Sequence, residues 1–345
     1  MKVGILTFHD TDSYGAVLQA YALQTILKNL GVESSFVSFE KSTSAAERAV
    51  PGNPAIRRLI EEGEKRRGLF ASFREKHLHV GHPFPREACA NIDALFDCFI
   101  AGSDQIWNLS VPESDRQFFL PFASPEKRYS YAASFGSGEM PMKVREWCAG
   151  QLAGFAALSV REESGRRLIK ELTGRDAIVC LDPTMLLEGK DWEAIASQSP
   201  DGHYAMLFML QYNKGLADTA ERWAEQHGLP LKIVTASFMP HFGYEAWSST
   251  GPEEWIGLIS GADAVFTNSF HGAVFSLIYR RPLRVALLEG ALQNRNGRIV
   301  ELLESLGMND CIDKSPLTVP VDQWEIYIRE RRETSMSYLR KVVGR

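Results

Sequence analysis

The chain has 345 residues, 45% of them hydrophobic and 23% charged, with a formal net charge of −5 at pH 7. Its length exceeds the usual single-domain range and predicts two domains, each able to bury a core. The acidic balance argues against nucleic acid or an anionic membrane as partner, since both call for a basic surface, so any anion site must be local. Five scattered cysteines (Cys89, Cys98, Cys148, Cys180 and Cys311) form no CxxC pair and suggest neither a disulfide framework nor a zinc site. No apolar run approaches the roughly 18 residues of a membrane span. The N-terminus MKVGILTFHD reads as a strand rather than a signal peptide, so a cytoplasmic location is expected.

In chain order the pattern is strand, loop, helix, repeated. VGILTF is followed by the polar loop HDTDSYG and then by AVLQAYALQTILKNL, whose apolar residues have helical spacing and which Gly31 is placed to end. SFVSF supplies the next strand, giving a βαβ unit and hence a parallel sheet. Residues 41–90 break the rhythm and read as a helical excursion beside the sheet. Its His77, His79 and His82 lack the i, i+4 spacing of helical zinc ligands, and no metal site is expected there. Strands resume with CFIAG before SDQIWN, YSYAAS before FGSG, AALSV before REESGRR and AIVCL before DPT. LEGKDWEAIASQSPDG reads as a helix and exposed turn that mark a domain boundary near 190. YAMLFML, LKIVTA, DAVFT and LRVALL form a second series, and VDQWEIYIRERRETSMSYLRKVV closes the chain as one long amphipathic helix.

These elements predict an α/β fold of the GT-B type, with two doubly wound Rossmann-like domains facing a cleft. The expected domains are residues 1–190, with the excursion at about 41–90, and residues 191–320. A terminal helix within 321–345 is expected to pack back on the first domain.

Ligands of such sheets bind outside the carboxyl ends of the strands. The polar loops there are Asp10 to Gly15, Gly102 to Asn108, Phe135 to Gly138, Arg161 to Gly165, Asp182 to Thr184 and Asn268 to Gly272. None carries a GxGxxG or GxxxxGK[ST] pattern, which argues against dinucleotide and P-loop binding, and no GxSxG elbow offers a hydrolase nucleophile. Asp104 can orient or deprotonate a hydroxyl, and Trp107 offers a flat face for a sugar; the alternative is a capping Asp and a core Trp. Arg161 either grips an anion bidentately or pairs with Glu162 and Glu163. Arg295 and Arg298 form either an anion clamp or a solvated helix start. In FTNSFHGAVFSL, Asp263 to Thr267 reads as a strand and Ala273 to Tyr279 as a helix, with Asn268, Ser269 and Phe270 in the turn. Gly272 removes a side chain as the helix opens. His271 then stands beside a helix N-terminus, which favours anions, unless it merely caps the turn. Arginines, a histidine and a helix N-terminus at strand ends of an acidic protein suit a small, highly charged anion.

Seven segments occur in order between about residues 13 and 307: SYGAVLQAYALQTILKNLG, FIAGSDQIWN, YAASFG, SVREESG, LDPTMLL, NSFHGAVFSLIYRRP and NRNGRIVELLESLG. Together they resemble the polysaccharide pyruvyl transferase family. The resemblance implies a GT-B-like fold, with the acceptor on the N-terminal side and the donor on the C-terminal side. It implies transfer of the enolpyruvyl unit of phosphoenolpyruvate to a sugar or lipid-linked glycan precursor, forming a cyclic pyruvate ketal in a bacterial cytoplasm. It makes His271 the general acid and Arg161 a donor-binding arginine; the residue chemistry itself offers Asp104 as a base for a hydroxyl. The expected donor side adds Ser269, Phe270, Gly272, Asn296 and Arg298; the expected acceptor side is Asp12, Tyr14, Gly15, Gln105, Trp107 and Asn108. Ser269 replaces an arginine found two residues before the histidine in some members, and Arg298 or Arg295 can compensate. Ser13 stands where an Asn before Tyr-Gly is more usual. Phosphoenolpyruvate carries close to three negative charges and needs cationic and N–H donors, and no step demands a metal or a cofactor. The alternatives are a GT-B glycosyltransferase using a nucleotide sugar and a non-catalytic glycan-binding relative.

Overall fold

The computed structural model describes residues 1–40, 53–85, 89–110, 115–136, 140, 142–312, 314 and 316–345. Gly138 and part of the 41–90 excursion lie outside the described residues. β1 (Lys2–Leu6) is apolar and buried on both faces after its first residue, as interior parallel strands are. It pairs in parallel with β2 (Glu33–Phe36) and β3 (Cys98–Asp104), and the sheet continues through β4 (Arg128–Ala133), β5 (Ser159–Val160) and β6 (Ile178–Val179). β2 starts two residues before the SFVSF run, because Glu33 to Phe36 is the stretch in register with Lys2 to Ile5. The second sheet holds β7 (Ala205–Met209), β8 (Leu231–Thr235), β9 (Ala264–Thr267) and β10 (Leu283–Val285), again all parallel. The strand orders are β2-β1-β3-β4-β5-β6 and β10-β9-β7-β8.

The longer helices are α1 (Tyr14–Asn29), α2 (Pro54–His77), α3 (Met142–Ala153), α4 (Glu163–Thr173), α5 (Lys214–Gln226), α6 (Pro252–Gly261), α7 (Phe270–Ile278), α8 (Gly297–Ser305) and α9 (Val321–Val342). Gly31 adopts a φ of 72° just past α1, the left-handed stop that a glycine supplies without steric cost. α9 returns to the first sheet, where Ser335 accepts from the Leu181 amide at 2.9 Å and the Tyr338 hydroxyl donates to the Ser130 carbonyl at 2.8 Å. None of the described helices is long and apolar enough to cross a membrane.

One apolar cluster runs from Val3 and Ile5 in the first sheet, through α1, to Met206 and Phe208 in the second. Tyr14 sits at that junction, its ring 5.3 Å from Trp255 and 5.4 Å from Phe208, and its hydroxyl donates to the Thr250 carbonyl at 2.8 Å. α2 adds a polar staple between the domains. Arg66 donates to the Trp247 carbonyl at 2.8 Å, while Lys76 and His77 meet Glu253 at 2.8 and 2.6 Å. His77 is therefore an interdomain contact. The two domains face each other in the GT-B arrangement, with their strand ends turned to a shared cleft.

Candidate active site

Each sheet reverses its strand order at one place, between β1 and β3 in the first and between β7 and β9 in the second. The crevice outside such a switch point is where open α/β sheets bind ligands. Here the two crevices open on one cavity of about 480 Å³. The first domain contributes Asp12 to Ala16, Asp104 and Gln105; the second contributes Ser269, Phe270, His271, Arg295 and Arg298. α1 and α7 both begin at this cavity, so two positive helix ends lie in its wall. Ser269 caps α7 by accepting from the Gly272 amide at 3.3 Å, whereas the Ser13 side chain makes no capping bond to α1.

α7 starts at Phe270, three residues earlier than the sequence suggests, so His271 belongs to its first turn. The ring is buried, with Nε2 at 3.5 Å from Asp182 Oδ2. That distance makes an ion pair when the ring is protonated, and it is too long for a strong hydrogen bond. Nδ1 lies against Gly15 in the first turn of α1: a methyl group there would come within 2.0 Å of it. Gly15 is thus required for close approach, because only a residue without a side chain lets the imidazole rest on that turn.

Asp182 is fully buried and heavily bonded. Oδ1 accepts from the Thr184 amide at 3.0 Å and its hydroxyl at 2.7 Å, capping the short turn Pro183–Leu186. Oδ2 accepts from Arg161 Nη1 at 2.6 Å and from the Ser103 hydroxyl at 3.2 Å. Burial pushes this carboxyl up, but the His271 ring, Arg161 and Thr184 outweigh it and hold it well below the usual carboxylate range. Asp182 is the functional residue that sequence reasoning missed. Its loop was visible at a strand end, and the DPT pattern signals a cap, but nothing local points to His271.

Arg161 is buried behind the cavity rather than lining it. Nη2 reaches Asp104 Oδ1 at 3.2 Å, and Nε lies 3.8 Å from Glu162 Oε2. Its guanidinium stands 4.7 Å from the Phe270 ring centre. Of its neighbours in sequence only Glu162 pairs with it; Glu163 binds Arg166 instead. Arg298 lies in the cavity wall, with Nη1 at 3.3 Å from the same Asp104 oxygen and its guanidinium 5.2 Å from Phe270. Burial and the repulsion of Arg161 push Arg298 down to about 10, against the pull of Asp104. Asp104 shifts downward: burial raises it, and Arg161, His271 and Arg298 together outweigh that.

Several expected site residues turn out to be structural. Trp107 is 1% exposed, packs among Phe119, Phe135 and Phe155 and donates to the Phe118 carbonyl, so it offers no face to a sugar. Asn108 is buried and donates to Gln105 Oε1 at 2.8 Å; Gln105 itself reaches the cavity. Gly272 packs on Thr267, whose hydroxyl would lie 2.5 Å from an added methyl, so its smallness serves helix–strand contact. Asn296 spends both ends of its amide on the Leu288 backbone at 2.8 Å, which fixes the loop that carries Leu288 to the cavity. Asp12 lines the cavity and lies 3.3 Å from Arg74 Nη1. Tyr14 lines it as well, but its hydroxyl is committed to the second domain. The apolar wall formed by Phe8, Phe208, Leu210, Leu288 and Leu292 carried no sequence signal.

Asp182→Asn tests this electrostatic frame. The unfolded carboxyl titrates near ~3.9 and the folded one lower, so the unfolded chain takes up the proton first as pH falls. The stability Asp182 contributes is therefore present above about pH 4 and lost below it. Asp182→Asn is expected to lose about 3–5 kcal/mol at pH 7, because Arg161 loses a buried partner. It should also show a shallower decline between about pH 4 and pH 2 in urea titrations. An acid limb as steep as the wild type's would remove Asp182 from this role.

Two parallel-sheet domains with an anion-biased cavity between their switch points define a GT-B protein. Among solved structures, the UDP-GlcNAc 2-epimerase of Methanocaldococcus jannaschii in complex with UDP-GlcNAc and UDP is similar with a TM-score of 0.50 and 11% identity, over 100% of this chain and 99% of that one. The E. coli heptosyltransferase WaaC with ADP is similar at a TM-score of 0.39 and 14% identity, over 96% and 100% of the two chains. At that identity the first likeness bears on the fold alone, and the second carries no argument. No curated protein matches the chain by sequence. The polysaccharide pyruvyl transferase model matches residues 14–285, and the chain belongs to that family of transferases.

Proposed function

We propose that the chain moves the enolpyruvyl unit of phosphoenolpyruvate onto a sugar or lipid-linked glycan acceptor and closes a pyruvate ketal. The observation that carries this reading is the placement of His271: backed by Asp182, set on Gly15, and held where α1 and α7 both point positive ends into one cavity. The donor's phosphate and carboxylate are matched by backbone N–H groups of those two helix starts and by Arg298, with Arg295 nearby. Arg298 thereby takes the part of the arginine that Ser269 replaces. Arg161 acts from behind, holding Asp104 and Asp182 in place.

In the first step His271 gives its proton to the methylene carbon of the donor, while an acceptor hydroxyl adds to the central carbon and yields its proton to Asp104. A second hydroxyl of the same sugar then bonds to that carbon as the bond to phosphate breaks, and its proton leaves with the phosphate. The reading invokes no metal or cofactor, because helix ends and arginines supply the countercharge. It carries a cytoplasmic location with it, since so charged a donor does not cross membranes unaided.

The test is to incubate the protein with phosphoenolpyruvate and candidate bacterial glycan acceptors. The expected result is acceptor-dependent phosphate release, with a product heavier by one pyruvate less one water. A thermal-shift comparison against nucleotide sugars runs beside it. Stabilisation by a nucleotide sugar and none by phosphoenolpyruvate would make the chain a glycosyltransferase. Glycan binding without turnover of either donor would make it a non-catalytic relative.

A further inference from the structure

Asp104 occupies an unusual position for a base. Its Oδ1 bridges Arg161 Nη2 at 3.2 Å and Arg298 Nη1 at 3.3 Å, while the residue also lines the cavity beside His271. A carboxylate shared by two guanidinium groups is a poor acceptor for a further proton. Its backbone has a φ of 66°, in the left-handed region that residues other than glycine, asparagine and aspartate seldom enter. Such outliers gather at functional sites, where the surrounding structure holds them.

The arginines, for their part, are incompletely satisfied. Among the described residues the buried Nε atoms of both Arg161 and Arg298 have no hydrogen-bond partner. Arg161 has a stronger partner in Asp182 at 2.6 Å, but for Arg298 the 3.3 Å contact with Asp104 is the ion pair present. A guanidinium in the wall of the cavity, on a residue only 8% exposed, with one long bond and one orphaned N–H, is built for an anion better than the one it holds.

We propose that Asp104 is a built-in stand-in for the donor anion: it occupies Arg298 in the free enzyme, and donor binding draws that guanidinium off it, while Arg161 stays behind Asp104. The carboxylate, left with Arg161 alone, is then the better base for the acceptor's hydroxyl proton. Proton abstraction is thereby gated by the donor, because the base is formed only when the donor is in place. Against burial, which raises it, Asp104 is shifted downward by Arg161, His271 and Arg298, so losing Arg298 makes it more basic, which agrees with this. A site competing with its own carboxylate also loses apparent affinity, by the fraction of molecules in which Arg298 is free. The inference rests on phosphoenolpyruvate being the donor, and its test separates the two claims.

Calorimetric titration of phosphoenolpyruvate into wild type and Asp104→Asn is the experiment. Asparagine keeps the shape and tolerates the left-handed backbone; Asp104→Gly, which suits that backbone better still, is the second variant. Both are expected to bind phosphoenolpyruvate about tenfold more tightly than wild type or better, because the internal competitor is gone. Both should lose about 10²-fold or more of turnover, because the base is gone. Melting temperatures should fall in the unliganded variants and rise on adding phosphoenolpyruvate by more than in wild type. Wild type that binds the donor while both variants bind it equally or more weakly would show Asp104 to be a fixed strut, and the stand-in idea fails. Wild type that does not bind phosphoenolpyruvate at all overturns the donor reading instead.

Discussion

Gly15→Ala is expected to abolish most turnover without removing any polar group and without unfolding the chain. The added methyl would meet His271 Nδ1 at 2.0 Å, Cγ at 2.5 Å and Cε1 at 2.7 Å, distances that no pair of non-bonded atoms sustains. The backbone of α1 is held by buried neighbours on the interdomain cluster, so the imidazole is what gives way. A displacement of about 1 Å in a catalytic group can cost 10²-fold, and that is the expected loss in kcat. Helix propensity works in the other direction, since alanine favours a helix over glycine by about 1 kcal/mol. Melting temperature should therefore change little while activity collapses. Unchanged kcat would mean that the ring has room to move and that its place on Gly15 is incidental.

His271→Gln is the second large effect expected. Removing a general acid typically costs 10²- to 10⁴-fold, and the loss should fall on kcat. The fold should survive, because Asp182 keeps Arg161, Ser103 and Thr184 as partners and a glutamine amide can donate to it. Donor affinity should remain within a few-fold of wild type, since the helix ends and Arg298 are untouched. The two substitutions also make a cycle. If Gly15 acts only through the imidazole, Gly15→Ala should cost little more once His271 is already glutamine, a strongly non-additive result. Full additivity would give Gly15 a separate role, as an acceptor-side residue in its own right.

The fold was largely legible because buried parallel strands announce themselves as short apolar runs, and caps and glycines punctuate the helices between them. The sequence misleads where two local signals compete. Phe270 and His271 have modest helix propensity, so propensity alone starts α7 too late, although Ser269 is a good N-cap. A tryptophan after a strand is ambiguous between platform and core, and the rings that enclose Trp107 come from three separate segments. The site was legible only as a set of loops. That His271 meets Gly15 and Asp182, or that Arg161 chooses Asp182 and Asp104 over Glu163, follows from how two sheets and their crossovers converge. No spacing in the chain encodes it.

A structure of the protein soaked with phosphoenolpyruvate would show whether the donor anion sits between the two helix starts with His271 at its methylene carbon. Phosphate and carboxylate oxygens are expected within hydrogen-bond distance of backbone N–H groups at the beginnings of α1 and α7 and of the Arg298 guanidinium, with the methylene carbon beside His271. Phosphoenolpyruvate bound elsewhere, or in this cavity with His271 out of reach of that carbon, would contradict that placement.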